Sequence, residues 1–292
     1  MDLKKNNLKK LERELNPSLK NNFIVTLNLF RHRGIILKGR PKMFKSTMLI
    51  IFLFSLFISS NEYAYANEQS CISSDGTPNH KIGNFPTRGN PHKFKKQRIK
   101  FCFPKKPIKT DKNKYDASAV GITLTGIPIR PGTADWYDKN SPRKHSKDKS
   151  SGLNLEAIRP YEKIFGIDRF NGHVDHRGLY HYHKSNPLLL LNDEPLIGYA
   201  ADGFEILYIP ENVKPSWQLK KGNRKVEPFG KFDGAFKEDY EFVAGSGDLD
   251  ECNGKFVNGQ YKYFATDTFP FFPRCHWGEI SRDFIEKRKK RK

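Results

Sequence analysis

The chain has 292 residues and a formal net charge of +20 at pH 7, from 52 Lys and Arg against 32 Asp and Glu. That length admits one large or two ordinary domains. No phosphate loop, dinucleotide fingerprint, His-Glu-x-x-His or Gly-x-Ser-x-Gly elbow is present, so no organic cofactor is indicated and the common hydrolase and nucleotide-binding signatures are excluded.

In chain order, residues 1–42 are rich in Lys, Asn and Leu without a pattern and are read as an extension outside the fold, with Met43 an alternative start. Met48 to Ile58 is an 11-residue apolar run, preceded by Lys42 and Lys45 and followed by Ala64-Tyr65-Ala66. This predicts a signal peptide over residues 43–66 and an exported protein beginning at Asn67. The run falls short of the about 20 residues of a transmembrane helix; the alternative is an uncleaved signal anchor that tethers the protein to a membrane. Residues 67–292 keep 40 Lys and Arg against 28 Asp and Glu, a net +12. Export argues against a nucleic-acid partner, and the positive field favours an anionic cell-envelope surface. Residues 285–292 form a basic tail, predicted to be disordered and solvated.

Cys71, Cys102, Cys252 and Cys275 all follow the signal peptide, so two disulfides are expected, with three possible connectivities. Pairing within local units favours Cys71 with Cys102 and Cys252 with Cys275. Ser74 to Pro104 is dense in Pro, Gly and Asn, which precludes long helices but leaves Arg98 to Phe103 as a short strand. Pro104 to Tyr115 reads as a basic linker. Ala119 to Arg130 alternates in the manner of a strand that turns at Gly126, and Asp138 to Ser151 reads as an exposed loop. Leu153 to Phe165 is the one stretch with helical promise, interrupted at Pro160.

Gly178 to Pro187 reads Gly-Leu-Tyr-His-Tyr-His-Lys-Ser-Asn-Pro. In a strand, His181 and His183 share one face and Tyr180 and Tyr182 the other. The two imidazoles are then a bidentate start for a metal. His176-Arg177-Gly178 reads as a three-residue hairpin loop, with Gly178 in the left-handed position. That loop length pairs His173 with His181 and makes a trio; a loop one residue longer or shorter would turn His173 to the other face. His80 or Asp202 is the candidate fourth ligand. Asp202 and Asp175 are the candidate general bases. Pro195 to Pro210 holds two β-prone runs around Asp202-Gly203, which also predicts a type I′ turn, so turn chemistry explains Asp202 as well as catalysis does.

Lys214 to Gly234 reads as loop, Phe236 to Val243 as a strand, and Asn258-Gly259 as a further hairpin turn. Asp248 to Gly254 is acidic but lacks calcium-loop spacing, which leaves a solvated turn. Phe269, Phe271 and Phe272 either pack in the core or line a sugar- or lipid-binding groove. No internal repeat is apparent.

Thr77 to His80, Gly121 to Gly132, His173-Val174, Tyr180 to His183, Ile197 to Phe204, Gly247 to Gly254 and Thr266 to Arg274 together resemble the YHYH family of exported proteins. The chain departs from that pattern in a basic insert near Arg143 to Lys149, in the basic tail and at Asn171-Gly172. The resemblance implies export and a single β-rich domain, and implies no reaction. The expected architecture is mainly β, one domain over residues 67–284 built of short antiparallel strands, hairpins and long loops, with at most one or two short helices. The expected function is binding of one transition metal, zinc or copper ahead of others, through the His-x-His strand. The alternatives are a metal-dependent secreted hydrolase and a non-catalytic module that binds an anionic envelope glycan or membrane surface.

Overall fold

Strand-forming residues come in short runs broken by turns, and the fold is assembled from short strands. A computed structural model describes residues 68–285 apart from 113, 116, 159–161 and 211; the expected N-terminal extension and signal peptide, and residues 286–292 of the expected basic tail, lie outside the described residues. In chain order the strands are β1 (Gln69–Ser74), β2 (Ile99–Pro104), β3 (Gly121–Thr123), β4 (Pro128–Ile129), β5 (Gly132–Tyr137), β6 (His145–Ser146), β7 (Asn154–Glu156), β8 (Gly172–Val174) and β9 (Tyr180–Tyr182). They continue as β10 (Leu196–Ala200), β11 (Glu205–Tyr208), β12 (Trp217–Leu219), β13 (Asn223–Arg224), β14 (Gly230–Lys231), β15 (Tyr240–Phe242), β16 (Gly254–Val257) and β17 (Gln260–Ala265). One α-helical turn, Glu162–Phe165, and three short 3-10 turns complete the described elements. The mainly β expectation holds.

Several local expectations are corrected. Leu153 to Phe165 is β7 followed by that single helical turn, since β7 finds a partner in β5 and strand pairing overrides a weak helical preference. The loop expected at Asp138 to Ser151 contains β6, which pairs with β5, and the one expected at Lys214 to Gly234 contains β12, β13 and β14. Phe236 to Val243 opens with a 3-10 turn and is extended only in β15. The pairing of cysteines is as expected: Cys71 opposes Cys102 across β1 and β2, and Cys252 is joined to Cys275.

An eight-stranded sheet in the order β16-β17-β11-β10-β3-β4-β9-β8 organises the molecule. It is mixed, with β17 parallel to β11 and β9 parallel to β4. Ile122, Ile129, Ile197 and Ile206 of its central strands are fully buried, and so are Tyr180, Tyr182 and Tyr263.

This sheet contains the repeat that the sequence hid. The β3–β4 hairpin closes with Thr123 N–H to Ile127 O and Gly126 N–H to Thr123 O, both 2.9 Å. The β10–β11 hairpin closes in the same way, Ala200 N–H to Phe204 O at 2.8 Å and Gly203 N–H to Ala200 O at 2.9 Å. The connection at Ala201-Asp202-Gly203 is therefore a three-residue loop with Gly203 at φ 90, not the two-residue type I′ turn that Asp202-Gly203 predicts. Each hairpin then accepts a second hairpin in parallel: Ile129 pairs with Tyr182 of β9, and Ile206 with Tyr263 of β17. At the centre, Gly121, Ile122 and Thr123 oppose Ala200, Tyr199 and Gly198, a register with two-fold symmetry. The sheet is thus two four-stranded halves, (β3, β4, β8, β9) and (β10, β11, β16, β17). Val120 to Ile129 and Ile197 to Ile206 share their glycines and apolar positions but little else, which is why the repeat is not apparent from sequence.

Candidate metal centre

The site begins with a turn. Asp175 Oδ1 accepts from the backbone N–H groups of Arg177 (2.8 Å) and Leu179 (3.0 Å), and Gly178 at φ 89 returns its N–H to Asp175 O at 2.8 Å. Only glycine adopts that conformation without penalty. The loop has three residues, and the register follows: Val174 opposes Tyr180, His173 opposes His181, and Gly172 opposes Tyr182. The loop parity read from the sequence is the one observed.

His173, His181 and His183 therefore meet on one face. Their ring centroids are 4.7 to 4.8 Å apart pairwise, and one ligand atom from each lies within 4.8 Å of the others. His181 and His183 are 5% and 2% exposed. Each Nδ1 faces a backbone carbonyl: His173 that of Phe165 at 2.7 Å, His181 that of Leu179 at 3.3 Å, and His183 that of Pro131 at 3.5 Å. A carbonyl can only accept, so these contacts place the imidazole proton on Nδ1 and leave the Nε2 lone pair free. The same carbonyl-to-Nδ1 arrangement orients metal-bound histidines generally.

His173 Nε2 and His183 Nε2 approach to 3.2 Å. Two ligands at about 2.0 to 2.1 Å from a tetrahedral ion lie about 3.3 Å apart. Two lone pairs at this distance repel unless a cation or proton is shared between them, so the donor set fits a metal ion. Burial lowers the pKa of all three imidazoles, those of His181 and His183 well below the ordinary value, and the His173 ring further disfavours charge on His181 and His183. The neutral form, which is the ligating form, is the one the site favours.

The other expected site residues do not join the trio. His80 lies across the strand: its Nε2 meets Tyr182 Oη at 2.6 Å and its ring packs on Phe170 at 4.1 Å. It shares the tyrosine face, and the alternation of β9 keeps it from the histidines. Asp175 is fully engaged, since beyond its two backbone donors its Oδ2 accepts from Arg130 at 3.0 Å and from Arg177 at 3.4 Å. Burial pushes its pKa up, but the Leu179 N–H and Arg130 outweigh that and hold it below the ordinary value. Asp202 is fully buried in its turn, where Oδ2 accepts from Tyr263 at 2.7 Å and from the Gly278 N–H at 2.8 Å. His276, given no role from sequence, is buried and bonded to Val120 O at 2.8 Å.

Residues that sequence reasoning missed include Asp168, which accepts from Tyr180 Oη at 3.0 Å and from the backbone of Phe170 and Gly172. Arg130, which braces Asp175, was missed too. The signal for Asp168 is its spacing in Asp-Arg-Phe-Asn-Gly, which recurs as Asp-Glu-Cys-Asn-Gly at Asp250 to Gly254. The Tyr180 and Tyr182 hydroxyls have pKa values raised by burial and by Asp168, so both remain O–H donors.

No curated protein and no solved structure matches the chain. Residues 100–278 match the family described as YHYH protein, a span that holds the whole eight-stranded sheet and the three clustered histidines but not Thr77 to His80. On that match, and with Tyr180 to His183 at the heart of the site, the chain belongs to the YHYH protein family.

Proposed function

We propose that this is an exported protein that binds one transition-metal ion through Nε2 of His173, His181 and His183. The observation that carries the reading is the shared orientation of the three rings, each Nδ1 on a backbone carbonyl and the ligand atoms within 4.8 Å of one another. Imidazole ligands suit zinc and copper ahead of harder ions. The two disulfides support an oxidising compartment. The net +12 of residues 67–292 favours an anionic envelope surface as its setting.

A hydrolase is the second reading, and the ligand count favours it: three histidines leave a fourth position for water on a tetrahedral ion, as catalytic zinc sites do. Asp175 and Asp202 are poor bases for it, because the hydrogen bonds above occupy the first and bury the second.

Elemental analysis of residues 67–292, purified from an oxidising compartment without tag histidines, tests the proposal. About one transition metal per chain is expected, lost without unfolding in the His181→Ala, His183→Ala double variant. A wild-type protein that neither retains a metal nor takes up added zinc or copper overturns it.

A further inference from the structure

We propose that the β13–β14 hairpin docks this protein onto an anionic lipid bilayer, with Val226 and Phe229 entering the interface and the surrounding lysines meeting the headgroups. The inference deepens the envelope setting proposed above and rests on it for the compartment. Single exposed apolar side chains are ordinary on a protein surface. These two are 53% and 69% exposed and share one short tip, Lys225 to Phe229, between the paired residues Arg224 and Gly230.

The hairpin that carries them is braced at its root and open at its flanks. Asn223 pairs with Lys231 and Arg224 with Gly230, and the Phe232 N–H reaches Gly222 O at 3.2 Å. The Arg224 guanidinium is buried at the root, where it donates to both oxygens of Asp239 at 2.7 and 2.6 Å and pairs with Asp233. It also lies over the Phe236 ring at 4.9 Å. Asp239 is itself buried and accepts further from the backbone of Gly234 and Phe236. A Cβ at Gly222 or Gly230 would meet nothing within 4 Å, so open space flanks the strands. A root held by buried, paired charges presents the tip in a fixed position.

The charge is positive when every carboxylate that an ion pair brings to the hairpin is included. Lys139, Lys220, Lys221, Arg224, Lys225 and Lys231 stand against Glu227, Asp233 and Asp239, a net +3. Arg224 answers the two aspartates at the root, and Lys139 pairs at 3.1 Å with Glu227, the one acid of the tip. Lys221, Lys225 and Lys231 are exposed and have no carboxylate partner among the described residues. The loop that carries Lys139 adds Arg143, Lys144, Lys147 and Lys149 against Asp135, Asp138 and Asp148, which keeps the sign.

A bilayer uses both features. Apolar side chains at the tip reach below the headgroups while the long basic chains around them extend to the phosphates. Pro228, between Val226 and Phe229, has no N–H to desolvate. An anionic glycan would engage the lysines and leave the two apolar side chains in water. A protein partner needs about 800 Å² on each side, far more than this tip supplies.

Sedimentation of the disulfide-bonded mature protein, residues 67–292, with vesicles of equimolar phosphatidylglycerol and phosphatidylcholine tests this, beside vesicles of phosphatidylcholine alone. Binding is expected to the anionic vesicles only, and to weaken as salt is raised. The Val226→Ser, Phe229→Ser variant keeps every charge, those of Lys287 to Lys292 included, and should bind at least about tenfold more weakly. The Lys221→Gln, Lys225→Gln, Lys231→Gln variant should lose about a hundredfold. All five side chains are exposed, so neither variant should move the urea midpoint. In a Phe229→Trp variant, brominated lipid should quench fluorescence beyond that of the three native tryptophans. A wild type that ignores anionic vesicles overturns the envelope setting and the proposal together. If the wild type binds but the tip variants bind equally, if the added tryptophan escapes quenching, or if soluble polygalacturonate displaces the vesicles at equal charge, the setting stands and the hairpin proposal falls.

Discussion

The two halves of the central sheet share a framework and differ in what they hold. In one, Asp168-x-x-Asn171-Gly172 leads into β8, and Tyr180 of β9 reaches back to Asp168 at 3.0 Å. In the other, Asp250-x-x-Asn253-Gly254 leads into β16, and Tyr261 of β17 reaches back to Asp250 at 2.8 Å. Asn171 and Asn253 both have positive φ, 65 and 64. A Cβ on Gly172 would run into the Tyr180 hydroxyl, and one on Gly254 into that of Tyr261, so each tyrosine crosses where only glycine leaves room. On the opposite face the halves part. Where the first places His173, His181 and His183, register puts Lys255, Lys262 and Phe264 in the second. Lys262 pairs with Glu205 at 2.5 Å, and Lys255 lies over Phe264 at 5.3 Å. The tyrosines of the Tyr-His-Tyr-His run are scaffold common to both halves, and the histidines are what distinguishes one from the other.

The largest test of that contrast is acidity. The folded pKa values of the three histidines lie below the unfolded value, so the folded state resists protons that the unfolded state accepts. Their contribution to stability is intact above about pH 6.5 and is lost as pH falls below it, at up to about 1.4 kcal/mol per pH unit for each ring. Urea unfolding of the metal-free protein across pH 5 to 7 should show this slope. The His173→Phe, His181→Phe, His183→Phe variant, which gives this half an apolar face, should flatten it.

Gly172→Val and Gly254→Val should each destabilise by about 3 kcal/mol through the blocked tyrosine, equally in the two halves, as read from denaturant midpoints. A marked inequality would mean that the halves are not mechanically equivalent. Replacing His181 by Ala should weaken metal binding by more than about a hundredfold in competition with a chelator, whereas Lys262→Ala should leave it unchanged. The smallest effect is expected for Tyr180→Phe and Tyr261→Phe, each leaving a half-buried carboxylate one donor short at about 1 kcal/mol. Tyr180→Phe should retain metal, since its hydroxyl lies on the far face of β9.

Much of this was legible in local sequence. The breaker-rich composition forecast short strands, Gly178 set the loop parity that joins His173 to His181, and the even count of cysteines, paired within local units, forecast the two disulfides. Those features depend on a few neighbouring residues, through the alternation of side chains along a strand and the conformational freedom of glycine. The sequence by itself thus determined the histidine trio, because its members lie on two adjacent strands joined by one tight turn. Only the tertiary structure decided what lies further apart. It put His80 on the tyrosine face, locked Asp175 to Arg130 and buried Asp202 beneath Tyr263. It packed Trp217 against Phe269 and set two diverged halves side by side, because long-range pairing selects among partners that no local pattern can rank.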